Sequence, residues 1–322
     1  MAGGYAGGIL AYFGADVIKV EPPGRGDALR HLRMSDASGT SLWWRSYGRN
    51  RRCITLDLRR KEGQDIVRRL ANQSDVLVSN FTPGKMEEWG LGPADLDPSI
   101  VHVLISGYGQ TGPLAKSPGY ASVCEAFGGL RHINGYPDRP PVRANASLGD
   151  TLAGRHGAFG AVMALLHRDR TAPRGGAAGR GQGQVVDAAI SESIFAMLEG
   201  CVPEYAMHGY DRPPSGSTLT GVPASGTWLA ADGVYVVIGG NGNSVYDRLV
   251  ARIGRPDLAS ANPEYASDAK RCDHEQQIAG VRRGAGVGGG AAGRAAAGRC
   301  AAALGVRALS SGLVGPSLSR AL

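Results

Sequence analysis

Over its first two hundred residues the chain alternates short apolar runs with longer amphipathic segments. The apolar runs are rich in β-branched residues and end at Pro, Gly or Asn, which is typical of buried strands. We predict strands at 15–21, 54–58, 75–79 and 100–106, and helices at 3–14, 61–72 and 85–89. Strands that alternate with helices predict an α/β fold built on a parallel, doubly wound sheet.

The second half of the chain has a different pattern. A long Ala- and Gly-rich segment at 152–168 predicts a closely packed central helix, and regular structure resumes at 185–197. The runs 226–229 and 234–238 flank a turn at 231–233 and predict antiparallel strands, followed by a helix at 244–253. We therefore divide the chain into a large domain at 1–205, a partial small domain at 206–278 and a tail at 279–322.

The composition of the tail differs from that of the rest of the chain. It contains no Asp, Glu or Lys, but six Arg, eleven Gly and twelve Ala. Because it has little to bury and many glycines to order, we expect it to be disordered or to be translated from a shifted reading frame, with a basic interaction tail as the alternative. It carries six of the seven excess positive charges of the chain. The nearly neutral remainder predicts no nucleic-acid partner.

Cysteine spacing and hydropathy indicate whether the protein has disulfides, a metal site or a membrane-spanning segment. The five cysteines are scattered and the histidines lack metal-ligand spacing, so we expect neither a disulfide framework nor a bound metal. No apolar run reaches about 18 residues, and the N-terminus lacks the pattern of a signal peptide. These features predict a cytoplasmic protein without membrane association.

One carboxylate precedes the long central helix. Asp150 lies in the segment SLGDTLAG, at 147–154. An acid at this place often caps the helix by accepting backbone N–H groups. Alternatively, it is a nucleophile on a rigid element, with helix N–H groups nearby to stabilise an oxyanion. The residues alone leave both interpretations open.

Glycines and arginines supply further candidate binding groups. The segment GGNGN at 239–243, which includes Gly239 and Gly240, follows a predicted strand and precedes a helix, as an anion-binding loop or a plain turn does. Seven arginines precede position 53, among them Arg25, Arg30 and Arg51. They form either a solvated face or a cradle for phosphates.

Several longer segments, taken together, resemble a known family. These segments are GADVIKVEPPGRGDALR, RNRRCITLDLRRKEGQDIVRRLANQSDVLVSNFTPG, SGYGQTGP, GDTLAG and GQVVDAAISES. In this order and across 2–273 they resemble the family III CoA-transferases, which include formyl-CoA transferase, the carnitine and bile-acid CoA-transferases and α-methylacyl-CoA racemase. The chain begins inside the family's first segment, so we expect the family's first strand to be missing.

The resemblance implies a fold and a mechanism. The family fold has a Rossmann-like large domain and a smaller α+β domain, and two subunits interlock as a homodimer. Asp150 matches the catalytic aspartate of the family, which implies that its carboxylate attacks an acyl-CoA thioester. The reaction then passes through an aspartyl anhydride and an aspartyl-CoA thioester before CoA reaches an acceptor acid. CoA is a substrate here, and no tightly bound cofactor is expected.

The resemblance also assigns binding residues. Asn80 and Phe81 match a CoA-contacting pair, and Val78 leads into it. By position and charge, Arg25, Arg30 and Arg51 become candidate partners of the CoA phosphates. Gly239 and Gly240 lie where the family has a glycine loop that covers the active site.

One position distinguishes two reactions within the family. Racemases of the family carry a His in a G-H-D segment, whereas the matching segment here is GYA, with Tyr120 at its centre. A phenol with an ordinary pKa near 10 is a poor carrier of an α-proton, so Tyr120 favours a transferase. A 2-methylacyl-CoA racemase and a non-catalytic relative remain the alternatives. The sequence leaves the donor and acceptor acids open.

Overall fold

The computed structural model describes residues 1–172, 180–229, 234–275 and 277–278. The expected tail at 279–322 and the predicted turn at 231–233 therefore lie outside the described residues. The chain divides into two compact units. The first comprises Met1–His132 and Val142–Tyr210, and the second comprises Ile133–Pro141 together with the described residues from Asp211 onward.

Parallel strands form the sheets of the first unit, as predicted. A pair consists of β1 (Ile18–Glu21) and β2 (Arg52–Thr55), and a group of three has the order β3 (Val76–Ser79), β4 (Val101–Ser106) and β5 (Val185–Ala189). The predicted strand at 54–58 is shifted toward the N-terminus, because Arg52 pairs with Ile18 while the Asp57 carboxylate already accepts the N–H of Arg59 in a turn. The other three predicted strands are confirmed within a few residues.

Helices connect and cover these strands. They are α1 (Ala2–Tyr12), α2 (Leu42–Tyr47), α3 (Lys61–Ala71), α4 (Lys85–Glu88), α5 (Ala121–Phe127), α6 (Leu130–Ile133), α7 (Leu148–Thr171), α8 (Ile190–Phe195), α9 (Cys201–His208), α10 (Asn243–Arg252) and α11 (Asp268–Cys272). The strand–helix alternation confirms the α/β class predicted from the sequence.

The core of the first unit is formed around β4, which is buried along its whole length. Alternate residues of this strand, Val101, Val103 and Ile105, pack with small residues of α7. A Cβ placed on Gly157 of α7 would lie 2.9 Å from a methyl carbon of Val103, so the glycine lets the helix lie close on the sheet. The opposite face of this layer packs against α3 through residues that include Val67.

The second unit contains an antiparallel sheet with the order β6 (Thr218–Leu219), β7 (Val222–Leu229) and β8 (Tyr235–Gly239). Strand β7 pairs with β8 from Ser225 opposite Gly239 to Leu229 opposite Tyr235, which confirms the predicted hairpin strands. Helix α10 follows β8 and contributes Tyr246 and Leu249 to a separate core.

Candidate active site

Asp150 lies in the first turn of α7 and does not precede it. The helix begins at Leu148, four residues before its predicted start, and Ser147 occupies the N-cap position. The interpretation of Asp150 as the N-cap is therefore wrong. Its carboxylate is half-buried and accepts the backbone N–H of Ala2, at the beginning of α1. Two helix N-termini thus meet at this carboxylate.

The surroundings of Asp150 change its acidity. Burial is the largest effect and raises the pKa of the carboxyl above its ordinary value of 3.8. The amino group of Met1, the Ala2 N–H and the charge of Arg143 act in the opposite direction, whereas the Glu125 carboxylate adds to the increase. The raised pKa makes the carboxylate more basic than an exposed aspartate, which suits a nucleophile.

A glycine lets α1 approach α7 close to Asp150. A Cβ on Gly154, one turn after Asp150, would lie 2.7 Å from the carbonyl oxygen of Ala2 and 3.2 Å from the nitrogen of Ala6. Real Cβ atoms do not approach backbone this closely, so no larger residue fits there without moving α1. The lack of a side chain at Gly154 therefore lets the beginning of α1 come close to the carboxylate.

Asn80 lies at the same end of α1. It directly follows β3, and parallel α/β sheets bind ligands at the carboxyl ends of their strands. A Cβ on Gly3 would lie only 2.9 Å from Oδ1 of Asn80, so the amide rests against the helix backbone next to Ala2. Asn80 and Asp150 thus both lie next to the beginning of α1.

The neighbours of Asn80 in sequence differ in exposure. The ring of Phe81 is 46% exposed and packs edge-on against Trp89, with 5.0 Å between the ring centroids. Val78 is half-buried in β3, opposite Val103 of β4. Phe81 therefore presents an apolar surface beside Asn80, while Val78 belongs to the sheet.

Tyr120 directly precedes α5 and its side chain is 81% exposed. Helix α5 packs against the beginning of α7, where a Cβ on Gly149 would lie 3.5 Å from the Cβ of Ala121. Tyr120 directly precedes Ala121 in the sequence, and Asp150 directly follows Gly149. Tyr120 is therefore placed on the element that lies against the first turn of α7.

The three candidate arginines have different environments. Arg51 donates to the carbonyl oxygens of Gly4 in α1 and Tyr47 in α2, so it links these two helices. Arg30 makes two hydrogen bonds to the buried carboxylate of Glu21, at 2.7 and 3.0 Å. Arg25 is exposed. The guanidinium groups of Arg30 and Arg51 thus have protein partners, and Arg25 is the most exposed of the three residues.

Gly239 and Gly240 belong to the second unit, at the end of β8. The N–H of Gly240 donates to the carbonyl oxygen of Ala224 in β7, and a Cβ on Gly240 would lie 2.7 Å from the Cβ of Ala224. A Cβ on Gly239 would meet nothing within 4 Å. Gly240 is therefore required by close packing of two strands, whereas Gly239 lies on an open surface.

Sequence reasoning missed three charged residues beside Asp150. Glu125 of α5 is fully buried, and its carboxylate accepts the N–H of Gly149 at 3.2 Å. Arg131 donates to the same carboxylate at 3.1 Å, and Arg143 lies 3.9 Å from it. The only signal in the sequence was a single acid within the apolar segment SVCEAF, at 122–127.

The described residues contain neither a metal-binding cluster nor a membrane-spanning helix. No group of three or more His, Cys, Asp or Glu side chains is placed to hold a metal ion in that part of the chain. None of the described helices combines the length and apolarity needed to cross a bilayer.

Comparison with known proteins identifies the family. The sequence matches the family described as CoA-transferase family III over residues 1–283. The chain belongs to this family. Solved structures share the fold: a CaiB/BaiF family protein from Brucella suis superposes with a TM-score of 0.75 at 27% identity, covering 99% of this chain and 84% of that one. A hypothetical protein from Mycobacterium tuberculosis gives a TM-score of 0.76, also at 27% identity, with the same coverage of both chains.

Curated CoA-transferases are similar to most of the chain. The succinyl-CoA–D-citramalate CoA-transferase of Chloroflexus aurantiacus is 43% identical over 281 residues, which are 86% of this chain and 67% of that protein. The alpha subunit of the succinyl-CoA–L-malate CoA-transferase from the same organism is 38% identical over 84% of this chain and 62% of its own length. A human succinyl-CoA:glutarate CoA-transferase is 31% identical, over 86% and 62%. The chain thus spans about two thirds of the length of these relatives.

Proposed function

We propose that this chain transfers CoA from an acyl-CoA to a carboxylic acid, with the carboxylate of Asp150 as the nucleophile. The observation that supports this most directly is the position of Asp150. It is a half-buried carboxylate of raised pKa in the first turn of α7, and Asn80 lies at the same end of α1.

The proposed reaction proceeds through covalent intermediates on Asp150. Its carboxylate attacks the thioester carbonyl, the C–S bond breaks, and an acyl-aspartyl anhydride and CoA thiolate form. The thiolate then attacks the aspartyl carbonyl, which releases the donor acid and leaves an aspartyl-CoA thioester. The acceptor carboxylate repeats the two steps in reverse and leaves as its CoA thioester, which regenerates Asp150. Each step exchanges one acyl bond for another, so no external acid or oxidant is needed.

We propose that other residues bind CoA. The amide of Asn80 and the exposed ring of Phe81 lie at the carboxyl end of β3, where Asn80 donates or accepts hydrogen bonds and Phe81 packs against an apolar part of CoA. Arg25 is free to contact a CoA phosphate. Arg30 and Arg51 contribute to that site through the positions of α1, α2 and β1, which they hold by the contacts described above.

The names of the relatives support a proposal for the substrate class. The three curated proteins compared above are named for succinyl-CoA and for citramalate, malate or glutarate, all of which are dicarboxylic acids. We propose succinyl-CoA as the donor and a dicarboxylic acid of similar length as the acceptor. We further propose that the active form is a homodimer.

Chemical trapping tests the nucleophile. Incubation with succinyl-CoA and hydroxylamine should convert Asp150 to its hydroxamate, which mass spectrometry of the peptide detects. Asp150→Asn should abolish labelling at this position and lower kcat by at least roughly 10³-fold. The matched control is Asp138→Asn, since the Asp138 side chain is 76% exposed; it should label and turn over normally.

Two outcomes would contradict the proposal. Full activity of Asp150→Asn, or turnover with no label on Asp150, would exclude this residue as the nucleophile. Incorporation of deuterium from D₂O at the α-carbon of a 2-methylacyl-CoA, without exchange of CoA, would instead indicate the racemase reaction.

A further inference from the structure

Two arginines converge on one buried glutamate beside Asp150. Glu125 has no exposed surface, and one of its carboxylate oxygens accepts the N–H of Gly149, the residue before the nucleophile. The other oxygen accepts a hydrogen bond of 3.1 Å from Arg131, whose side chain is 19% exposed. Glu125 therefore has a hydrogen-bonded cation as partner and holds the first turn of α7 in place.

Arg143 is a second cation at the same carboxylate. Its Nε lies 3.9 Å from Glu125, beyond the length of a hydrogen bond, and its side chain is 47% exposed. Two guanidinium groups and one carboxylate leave one net positive charge in this cluster of Glu125, Arg131 and Arg143. Because Arg131 already balances the buried charge, Arg143 has donors available to another anion.

Arg143 also lies within electrostatic reach of Asp150. The charge of Arg143 lowers the pKa of Asp150, opposing the dominant effect of burial and the smaller effect of Glu125. Glu125 connects the two residues geometrically, since it contacts the backbone next to Asp150 and the guanidinium of Arg143. A short substrate bound at Asp150 is therefore placed near this guanidinium.

We propose that Arg143 binds the second carboxylate of a dicarboxylic substrate while the other end of the substrate reacts at Asp150. This assignment rests on the proposed CoA transfer and adds the residue that selects dicarboxylic over monocarboxylic acids. A guanidinium suits the task because its planar N–H groups match the geometry of a carboxylate and stay charged at all relevant pH values. Glu125 and Arg131 act as positioning residues, since they fix the backbone of α7 and the place of Arg143.

A comparison of two thioesters of equal length tests the selectivity. Succinyl-CoA and butyryl-CoA differ in that only the former carries a distal carboxylate. In the wild type, the rate of hydroxylamine labelling at Asp150 should be higher with succinyl-CoA. Arg143→Gln should reduce the ratio of the two rates roughly 10- to 100-fold, the effect of losing a charge-assisted contact. Arg139→Gln, which replaces an arginine that is 67% exposed, should keep the wild-type ratio.

A binding measurement separates this inference from the covalent chemistry. Calorimetric titration of Asp150→Asn with the two thioesters should show tighter binding of succinyl-CoA, and the added Arg143→Gln change should remove the difference. Equal affinities in Asp150→Asn, no binding of either thioester, or a preference that survives Arg143→Gln would overturn the role of Arg143. Absence of the Asp150 label in wild-type protein that shows the binding preference would overturn the proposed function alone.

Discussion

At Asp150 the requirements of folding and of the proposed reaction oppose one another. Burial raises the pKa of its carboxyl, which means that the folded protein binds a proton at this residue more tightly than the unfolded chain does. At a pH above the raised pKa the residue is ionised in both states, and the ionised form costs folding free energy. Below the ordinary value of 3.8 it is protonated in both, and this cost is absent.

We therefore predict that Asp150→Asn stabilises the protein at neutral pH. The amide keeps the shape of the side chain and removes the charge that burial disfavours. The gain in the free energy of unfolding should be complete above the raised pKa and should shrink as the pH falls through it toward 3.8. Chemical denaturation of both proteins at several pH values measures it.

The matched control for this effect is Asp138→Asn, because Asp138 is exposed. Its replacement should leave the free energy of unfolding almost unchanged across the same pH range. A loss of stability in Asp150→Asn at pH 7 would show that contacts of the carboxylate, such as the one with the Ala2 N–H, outweigh the effect of burial.

At the scale of one element, α1 carries two adjacent glycines with different surroundings. A Cβ on Gly3 would lie 2.9 Å from the amide oxygen of Asn80, whereas a Cβ on Gly4 would meet nothing closer than 3.8 Å. Both glycines are helical, so an alanine at either position gains similar helix propensity, about 0.5–1 kcal/mol. A comparison of Gly3→Ala with Gly4→Ala therefore distinguishes an effect on the position of Asn80 from an effect on the stability of the helix.

We predict that Gly3→Ala weakens acyl-CoA binding and that Gly4→Ala does not. The methyl group at position 3 forces the Asn80 amide to turn away, and the loss of about one hydrogen bond should raise KM for succinyl-CoA roughly 5- to 10-fold. Because the amide is exposed and free to move, Gly3→Ala should cost little stability. Steady-state kinetics and thermal melts of both variants measure these effects. An unchanged KM in Gly3→Ala would argue against a CoA contact at Asn80.

The beginning of α7 shows where reasoning from the sequence stops at this scale. The Ala- and Gly-rich segment predicted the helix itself, because its small residues allow close packing. Its start at Leu148 was missed because the N–H of Gly149 is satisfied by Glu125, which is 24 residues away in the chain. Local capping signals carry no information about such a partner. The interpretation of Asp150 as an N-cap was wrong for the same reason.

For the whole molecule, the sequence predicted the order and type of most elements and fewer of the contacts that build the site. Apolar periodicity identified β3, β4 and α3, since these elements are buried on a regular pattern. By contrast, the partners of Arg30 and Arg51 were not predictable. Their guanidinium groups contact Glu21 and the carbonyl of Gly4, and long-range pairing of this kind leaves no trace in spacing or composition.

Binding of CoA by the whole protein distinguishes an enzyme from a non-catalytic relative. A ligand that binds only the folded state stabilises it by about 2.7 kcal/mol when its free concentration is a hundredfold above Kd, which raises the Tm by several degrees. We predict such a rise for the wild type with added CoA. Asn80→Ala should reduce it at the same CoA concentration, because the amide at the carboxyl end of β3 is lost.

Gln73→Ala is the matched control for this last experiment. Gln73 is an exposed amide near the opposite end of β3, so its loss should leave the CoA-dependent rise intact. A cooperative melt that does not respond to CoA would support a non-catalytic relative and would contradict the proposed transferase. An equal rise in Tm for Asn80→Ala and Gln73→Ala would still support CoA binding by the protein. It would exclude a CoA contact at Asn80, since only Asn80 of the two lies at the carboxyl end of the strand.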